Sequence, residues 1–133
     1  MTYNPKFDLD LAFGQAGEQW LTMLGAPGGV KIEVKTERDM WFITGNVIFE
    51  YRCRGKRSGI AATQADFWVH LLSLDGKIVG MFGWSVVSLK FFLKRCYDNP
   101  SAYKSRLAQG GDDGQSSFII VPISQLYHIN FPT

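Results

Sequence analysis

Alternating apolar and polar residues divide most of this chain into short strands. Strict alternation over residues 31–37 and 46–52 predicts two strands that are each buried on one face. Two further apolar runs, at 67–74 and 77–82, flank the dipeptide Asp75-Gly76, which is typical of a two-residue hairpin turn. A last strand is predicted over residues 118–121.

Apolar residues at helical spacing predict two helices. The first runs over about residues 10–24 and ends at a glycine- and proline-rich stretch. The second begins after Ser85 as N-cap and ends before Asn99-Pro100. Its core stripe is Val86, Leu89, Phe92, Leu93 and Cys96. We expect residues 101–117, which are polar and contain glycine, to form a surface loop with a little helix at 103–107.

This order of elements predicts an α/β (α+β) fold, with helices packed on a sheet. The 133 residues suit one domain, 1–133, and 46% hydrophobic with 20% charged residues indicates a globular chain. The formal net charge of +2 does not indicate nucleic-acid binding, so any basic surface must come from local clusters.

The two cysteines, Cys53 and Cys96, are far apart and lack metal-ligand spacing, which favours a reduced, intracellular protein. The first ten residues have no apolar core of a signal peptide, and no segment approaches the roughly 20 apolar residues that span a bilayer. We therefore expect a cytoplasmic protein without a membrane partner. His70 and His128 lie in apolar patterns and are expected to be structural.

The strand at 31–37 carries a Glu-x-Lys triplet, Glu33-Val34-Lys35. Residues two apart on a strand point to the same face. A carboxylate there can hold a divalent cation, and a lysine beside it can reach the same phosphate. The competing interpretation is a solvated sheet face.

A second strand adds to this triplet if the two strands form an antiparallel hairpin centred between Trp41 and Phe42. Glu33 then lies opposite Glu50, and a cation between them would offset their repulsion. A shift by two residues would change these partners. Glu18, on the first helix, is a further candidate ligand if that helix packs on the hairpin, and otherwise an exposed helix residue.

Basic residues cluster at two places. Four lie close together from the end of the second strand onward, namely Arg52, Arg54, Lys56 and Arg57, and such a loop can hold a DNA or RNA backbone. Lys90, Lys94 and Arg95 form a second patch on the helix after Ser85. Solvated surfaces are the competing interpretation for both.

Five motifs together resemble a known family: FGQAGE, IEVKTE, TGNVIFEY, SGIAATQADFWV and GGDDGQSSFIIVP. They are similar to small phage and prophage proteins of the PD-(D/E)XK nuclease superfamily, described as Holliday-junction-resolvase-like, over about residues 7–122. The resemblance implies a restriction-endonuclease-like core, in which helices flank a central mixed β-sheet. It also implies a phosphodiesterase that requires Mg²⁺, with Mn²⁺ as a substitute, and DNA as substrate.

The resemblance maps the family's helix glutamate to Glu18, but the strand acids align in two ways. In one, Glu33 and Lys35 form the Glu-x-Lys pair and the preceding acid is missing. In the other, the first acid is Glu37 or Asp39, and Glu50 leads a triplet that ends in Arg52 instead of lysine. The preferred composite site has Glu18, Glu33, Lys35 and Glu50 as catalytic residues. Its metal ligands are Glu18, Glu33, Glu50 and Asp39.

The sequence and the resemblance together predict a metal-dependent endonuclease that cuts branched DNA. A homodimer is expected if the two cuts are symmetric, and the cytoplasm of a bacterial host is the expected location. One alternative is an inactive protein of the same fold that binds DNA or a host protein. Another is a phage accessory or anti-defence protein.

Overall fold

A computed structural model of the protein describes residues 29–111 and 113–129. Its strands are β1 Ile32–Glu37, β2 Asn46–Cys53, β3 Lys56–Arg57, β4 Phe67–Leu74, β5 Lys77–Ser85, β6 Arg106–Gly110 and β7 Ser116–Pro122. Its α-helices are α1 Met40–Thr44 and α2 Val86–Asp98, and three 3-10 helices cover Gly59–Ala61, Pro100–Tyr103 and Ile123–His128. The described residues thus form a mixed α+β structure, which confirms the predicted class.

The described strands form two sheets, where a single central sheet was expected. One has the order β1-β4-β5 and the other the order β3-β2-β7-β6. In the first, β4 pairs in parallel with β1 and antiparallel with β5. Because β4 is apolar on both faces, it is buried along almost its whole length and takes the central position. Asp75 and Gly76 have φ values of 51° and 75°, so the predicted β4–β5 hairpin turn is confirmed.

The predicted hairpin of β1 with β2 is wrong. Glu33 lies beside Trp68 of β4 in the first sheet, whereas Glu50 lies beside Phe118 of β7 in the second. Helix α1 occupies the connection where the turn was expected, and Gly45 ends it with a φ of 74°. Glu33 and Glu50 are therefore not cross-strand neighbours.

Packing explains why β1 pairs with β4. Ile32 and Val34 of β1 lie against Val69 and Leu71 of β4, both of which are fully buried. A parallel pair needs a long crossover connection, and here the crossover contains β2 and β3 of the other sheet. The alternation in β1 indicated its buried face correctly but not the strand that covers it.

The second sheet contains a strand that the sequence analysis missed. The segment expected to be a surface loop has a 3-10 helix at Pro100–Tyr103, followed by β6, which pairs antiparallel with β7. The β6 sequence, RLAQG, has little apolar content and no clean alternation, so its strand conformation depends on backbone bonds to β7.

The structure of helix α2 confirms its predicted N-cap, its predicted end and its predicted buried stripe. The Ser85 hydroxyl accepts a hydrogen bond from the Ser88 backbone N–H at 3.1 Å, which is the expected N-cap. All five residues of the predicted stripe are buried. They belong to one hydrophobic core with residues of both sheets, among them Trp68 and Leu72 of the first and Ile119 and Val121 of the second.

The first predicted helix, and Glu18 with it, lies outside the described residues. Among the residues that the structure does describe, no helix is both long enough and apolar enough to cross a membrane.

Candidate functional site

A cavity of about 440 Å³ lies between residues of the two sheets and is called the inter-sheet cavity below. Its lining residues are Lys35, Thr36, Glu37, Ile48, Glu50, Gly59, Trp68, His70 and Phe118. This volume falls in the range of roughly 300–1,000 Å³ that is typical of ligand sites. The cavity brings together Lys35 and Glu50, both predicted site residues, and adds Glu37.

Strand β1 presents Lys35 and Glu37 to the cavity because residues two apart on a strand share a face. The Lys35 Nζ atom lies 6.0 Å from the centre of the Trp68 ring, at the outer limit of a cation–π contact. Glu33 belongs to the same face of the strand by alternation but does not line the cavity. The Glu-x-Lys triplet is therefore divided: its lysine reaches the cavity and its glutamate does not.

The Glu37 carboxylate is held on two sides. Its Oε1 atom accepts a hydrogen bond from the Ile48 backbone N–H at 2.6 Å and lies 2.7 Å from His70 Nε2. Because Ile48 belongs to the second sheet, this carboxylate links the two sheets. The Glu37 side chain is 12% exposed and that of His70 is 2% exposed, so both partners are shielded from solvent.

Trp68 fixes the tautomer of His70. The indole Nε1–H lies 3.0 Å from His70 Nδ1, and an indole nitrogen can only donate. His70 Nδ1 must therefore accept, and the ring carries its proton on Nε2, from which it donates to Glu37. The ring of Phe49 packs on His70 with a centroid distance of 4.8 Å, which leaves little room for rotation. A chain of hydrogen bonds from Trp68 through His70 thus orients the Glu37 carboxylate.

Glu50 is placed by a close approach of the backbone. Gly59 has a φ of 51°, and a Cβ atom there would lie only 2.2 Å from the Glu50 carbonyl oxygen. Only glycine allows this contact, which brings the loop after β3 against β2. In the part of the chain that the structure describes, the Glu50 carboxylate accepts no hydrogen bond, so its oxygens are available to a cation or a substrate.

The predicted metal-ligand set is not assembled among the described residues. Asp39 lies at the β4–β5 turn, where its carboxylate accepts the Asp75 backbone N–H at 3.2 Å. Glu33 is outside the inter-sheet cavity, and Glu18 is outside the described residues. Within residues 29–111 and 113–129, no three side chains of His, Cys, Asp or Glu lie together as a group that could hold a metal ion.

The predicted basic loop is a tight hairpin turn between β2 and β3. Arg54 and Gly55 occupy it with φ values of 52° and 77°. The Arg54 guanidinium binds the Asp113 carboxylate at 2.6 Å, and this hydrogen bond holds the pKa of Asp113 below its usual value. Arg52 and Arg57 lie directly opposite each other across the two strands, and both are exposed.

A second pocket, of about 260 Å³, lies beside α2 and is called the α2 pocket below. It is lined by Tyr51, Arg57, Ile60, Ala61, Lys90, Leu93, Lys94, Tyr97 and Ile119. The two basic patches that the sequence indicated separately therefore meet here, because Arg57 comes from the first and Lys90 and Lys94 from the second.

Sequence reasoning missed the role of His70 at the inter-sheet cavity. The available signal was a histidine in the middle of an apolar strand, since a buried imidazole must have hydrogen-bond partners. Its partners come from a neighbouring strand and from the residue two positions earlier, and only the second of these is visible in the sequence. Glu37 was one of two alternatives for the first acidic residue of the family motif, and its side chain lines the cavity together with Glu50.

The chain matches no protein-family model, no curated protein and no solved structure. Its function is therefore inferred from the geometry of its own side chains.

Proposed function

We propose that this protein is a metal-dependent DNA endonuclease with a restriction-endonuclease-like core, acting in the cytoplasm of a bacterial host. The observation that supports this most directly is the inter-sheet cavity, where Lys35, Glu37 and Glu50 line one space. Two carboxylates can hold a divalent ion and an ammonium can offset charge on a phosphate, and metal-assisted phosphodiester hydrolysis uses both tasks. The mixed parallel and antiparallel pairing of β1, β4 and β5 is compatible with such a core.

The cavity carboxylates suit Mg²⁺ in kind, since that ion takes one or two carboxylates and fills its other positions with water and phosphate oxygens. Glu50 and the remaining oxygen of Glu37 are the ligands that we assign, and the resemblance adds Glu18. When bound, the ion would polarise the phosphoryl oxygen and lower the pKa of a coordinated water molecule. Mn²⁺ has the same ligand preference and is expected to substitute.

The chain's own residues divide the remaining tasks. Lys35 offsets the negative charge that develops on the phosphate, and its contact with the Trp68 ring restrains its position. His70 keeps the Glu37 carboxylate in one orientation through the bond to Oε1. The exposed residues Arg52, Lys56 and Arg57 hold the DNA backbone near the cavity.

Branched DNA is the proposed substrate, on the strength of the resemblance to Holliday-junction-resolvase-like proteins. Symmetric cleavage of a four-way junction needs two active sites related by a two-fold axis, which a homodimer supplies. Sedimentation of the protein with and without a junction tests this part of the proposal.

The deciding experiment is cleavage of a labelled four-way junction and a linear duplex, with Mg²⁺ and with EDTA. Glu50→Gln and Lys35→Ala should each lower the rate at least a hundredfold, because each removes a group from the cavity. Glu18→Gln tests the ligand that the resemblance adds. Cleavage that is unchanged in Glu50→Gln would reject the inter-sheet cavity as the active site.

Glu33→Gln is the matched control, since Glu33 lies on the same strand but outside the cavity. We expect it to retain activity. Loss of cleavage in Glu33→Gln with activity retained in Glu50→Gln would instead support the Glu-x-Lys triplet as the site.

A second candidate function is DNA binding without cleavage. The observation that favours it is that the described residues contain no group of three potential metal ligands. Under this reading the wild-type protein binds the junction in EDTA, with an affinity that falls steeply with salt, and cuts neither substrate in Mg²⁺ or Mn²⁺.

A further inference from the structure

The α2 pocket has a charge composition that favours an anion. Arg57, Lys90 and Lys94 line it, and none of its lining residues is acidic. Lys94 is already paired with Asp98, at 2.6 Å on the same helix. Arg57 and Lys90 have no ion pair among the described residues, so two cations of the pocket are available to a ligand.

A like-charged pair of side chains beside the pocket also favours an anion as the ligand. Arg52 and Arg57 are directly opposite on β2 and β3, where side chains share a face of the sheet. Two cations in this position repel each other and destabilise the pairing. A phosphate between or beside them would offset that cost. The facing pair therefore indicates an anion site, whereas a single exposed arginine would not.

The rest of the pocket offers an apolar floor and an aromatic ring. Ile60, Leu93 and Ile119 supply the apolar surface, and Tyr51 and Tyr97 meet edge to face with centroids 5.5 Å apart. The Lys94 Nζ atom lies 6.0 Å from the centre of the Tyr97 ring, but Tyr97 is still 46% exposed, so part of the residue remains open to a ligand. An aromatic ring beside free cations suits a ligand that is flat, aromatic and negatively charged.

We infer that the α2 pocket binds one unstacked base of single-stranded DNA, stacked on Tyr97, with its flanking phosphates on Arg57 and Lys90. The volume of about 260 Å³ is below that of typical drug-sized sites and suits a single ring system. A continuous duplex offers no free base face, because its bases are stacked on one another. A frayed end or an unpaired strand at a branch does.

This site is separate from the inter-sheet cavity, and the two share no lining residue. They are neighbours through β2, where Glu50 lines the cavity and Tyr51 lines the α2 pocket. The inference rests on the proposed function only in taking DNA as the ligand. It adds a preference for unpaired bases, which the cavity alone does not supply.

The test is fluorescence anisotropy in EDTA, which prevents cleavage, with a labelled oligothymidylate of about eight nucleotides and a blunt duplex. Tyr97→Ala should weaken binding of the single strand about tenfold and change binding of the duplex less than twofold. Tyr97→Phe keeps the ring and should bind like the wild type. Tyr127→Ala removes a tyrosine that is 73% exposed elsewhere, and it should change neither affinity.

Equal binding of the single strand by Tyr97→Ala and wild type would overturn the inference, as would an equal loss for strand and duplex. Thymidine monophosphate that competes as well as the oligonucleotide would also overturn it, in favour of a free nucleotide. A wild-type protein that cuts no DNA but shows the Tyr97 effect would reject the nuclease proposal and retain this site. Circular dichroism confirms that each variant is folded.

Discussion

His70 Nε2 lies 2.7 Å from Glu37 Oε1, and both side chains are almost completely shielded from water. The same oxygen accepts the Ile48 N–H, so one carboxylate joins a histidine of the first sheet to the backbone of the second. A largely buried carboxylate that accepts two hydrogen bonds is held in one position.

Replacing His70 with Phe should destabilise the protein by about 3 kcal/mol, although it preserves a ring of similar size. The buried Trp68 N–H loses its acceptor, which costs about 1–3 kcal/mol, and the Glu37 carboxylate loses one of its two donors, which costs about 1 kcal/mol more. Urea unfolding followed by tryptophan fluorescence measures this change.

Glu37→Gln is the control for that experiment. Its amide oxygen still accepts from both donors, so the expected loss is only about 1 kcal/mol. A His70→Phe protein as stable as the wild type would show that the two hydrogen bonds of His70 do not stabilise the fold. Nitrogen chemical shifts of His70 provide an independent check, because the proton should be on Nε2.

Local signals in the sequence were sufficient to predict α2 and the β4–β5 hairpin. Ser85 caps the helix and Asp75-Gly76 forms the turn, and both depend on residues within a few positions of each other. The pairing of β1 with β4 was not predictable in this way. It depends on Ile32 and Val34 finding a buried partner strand that comes much later in the chain.

Part of the candidate site could be predicted from the sequence. Lys35 and Glu50 were identified and do line one cavity, but through the approach of two sheets, not through a hairpin. Glu33 had the same sequence signal as Lys35, and only the three-dimensional position separates them. His70 was expected to be structural because it lies in an apolar pattern, and its main partner, Glu37, is on another strand.

Gly59→Ala should destabilise the protein by about 3 kcal/mol or more. The new Cβ would lie 2.2 Å from the Glu50 carbonyl oxygen, and backbone atoms cannot move aside as a flexible side chain can. Gly55→Ala is the matched control: it also has a positive φ but open space around it, so about 1 kcal/mol of backbone strain is expected. If thermal unfolding shows the same loss of stability for both variants, the contact of the new Cβ atom with the Glu50 carbonyl oxygen has no cost of its own.

The two thiols should react at very different rates. Cys96 is fully buried, and burial raises the pKa of its thiol, so little thiolate forms and little of it is accessible. Cys53 is partly exposed. Alkylation at pH 8, followed by mass spectrometry, should modify Cys53 first, and Cys53→Ser should abolish the fast phase. Fast labelling of Cys96 in the folded protein would contradict its burial in the hydrophobic core.

Arg54→Ala should raise the pKa of Asp113 toward the ordinary aspartate value of about 3.9. The Arg54 guanidinium now holds that pKa lower by hydrogen bonding to the carboxylate. Because the folded pKa is the lower one, the contribution of this pair is present above about pH 4 and is lost as the pH falls through the folded value. Carboxyl carbon shifts of Asp113 report the titration, and Lys94→Ala should leave it unchanged.

Arg54 and Arg57 should contribute differently to DNA binding, although they are only three positions apart in the sequence. The Arg54 side chain is already bound to Asp113, so a phosphate that replaced this partner would gain little. Arg57 has no carboxylate partner among the described residues and faces a second arginine, Arg52. A phosphate contact there both forms a new ion pair and relieves a repulsion.

We therefore expect Arg57→Ala to lower the slope of log affinity against log salt by about one unit, as for the loss of one phosphate contact. Arg54→Ala should leave the slope nearly unchanged. Anisotropy titrations of a duplex at four or more salt concentrations measure both. An equal loss of slope in the two variants would mean that the Asp113 pair opens when DNA binds, and an unchanged slope in Arg57→Ala would reject its phosphate contact.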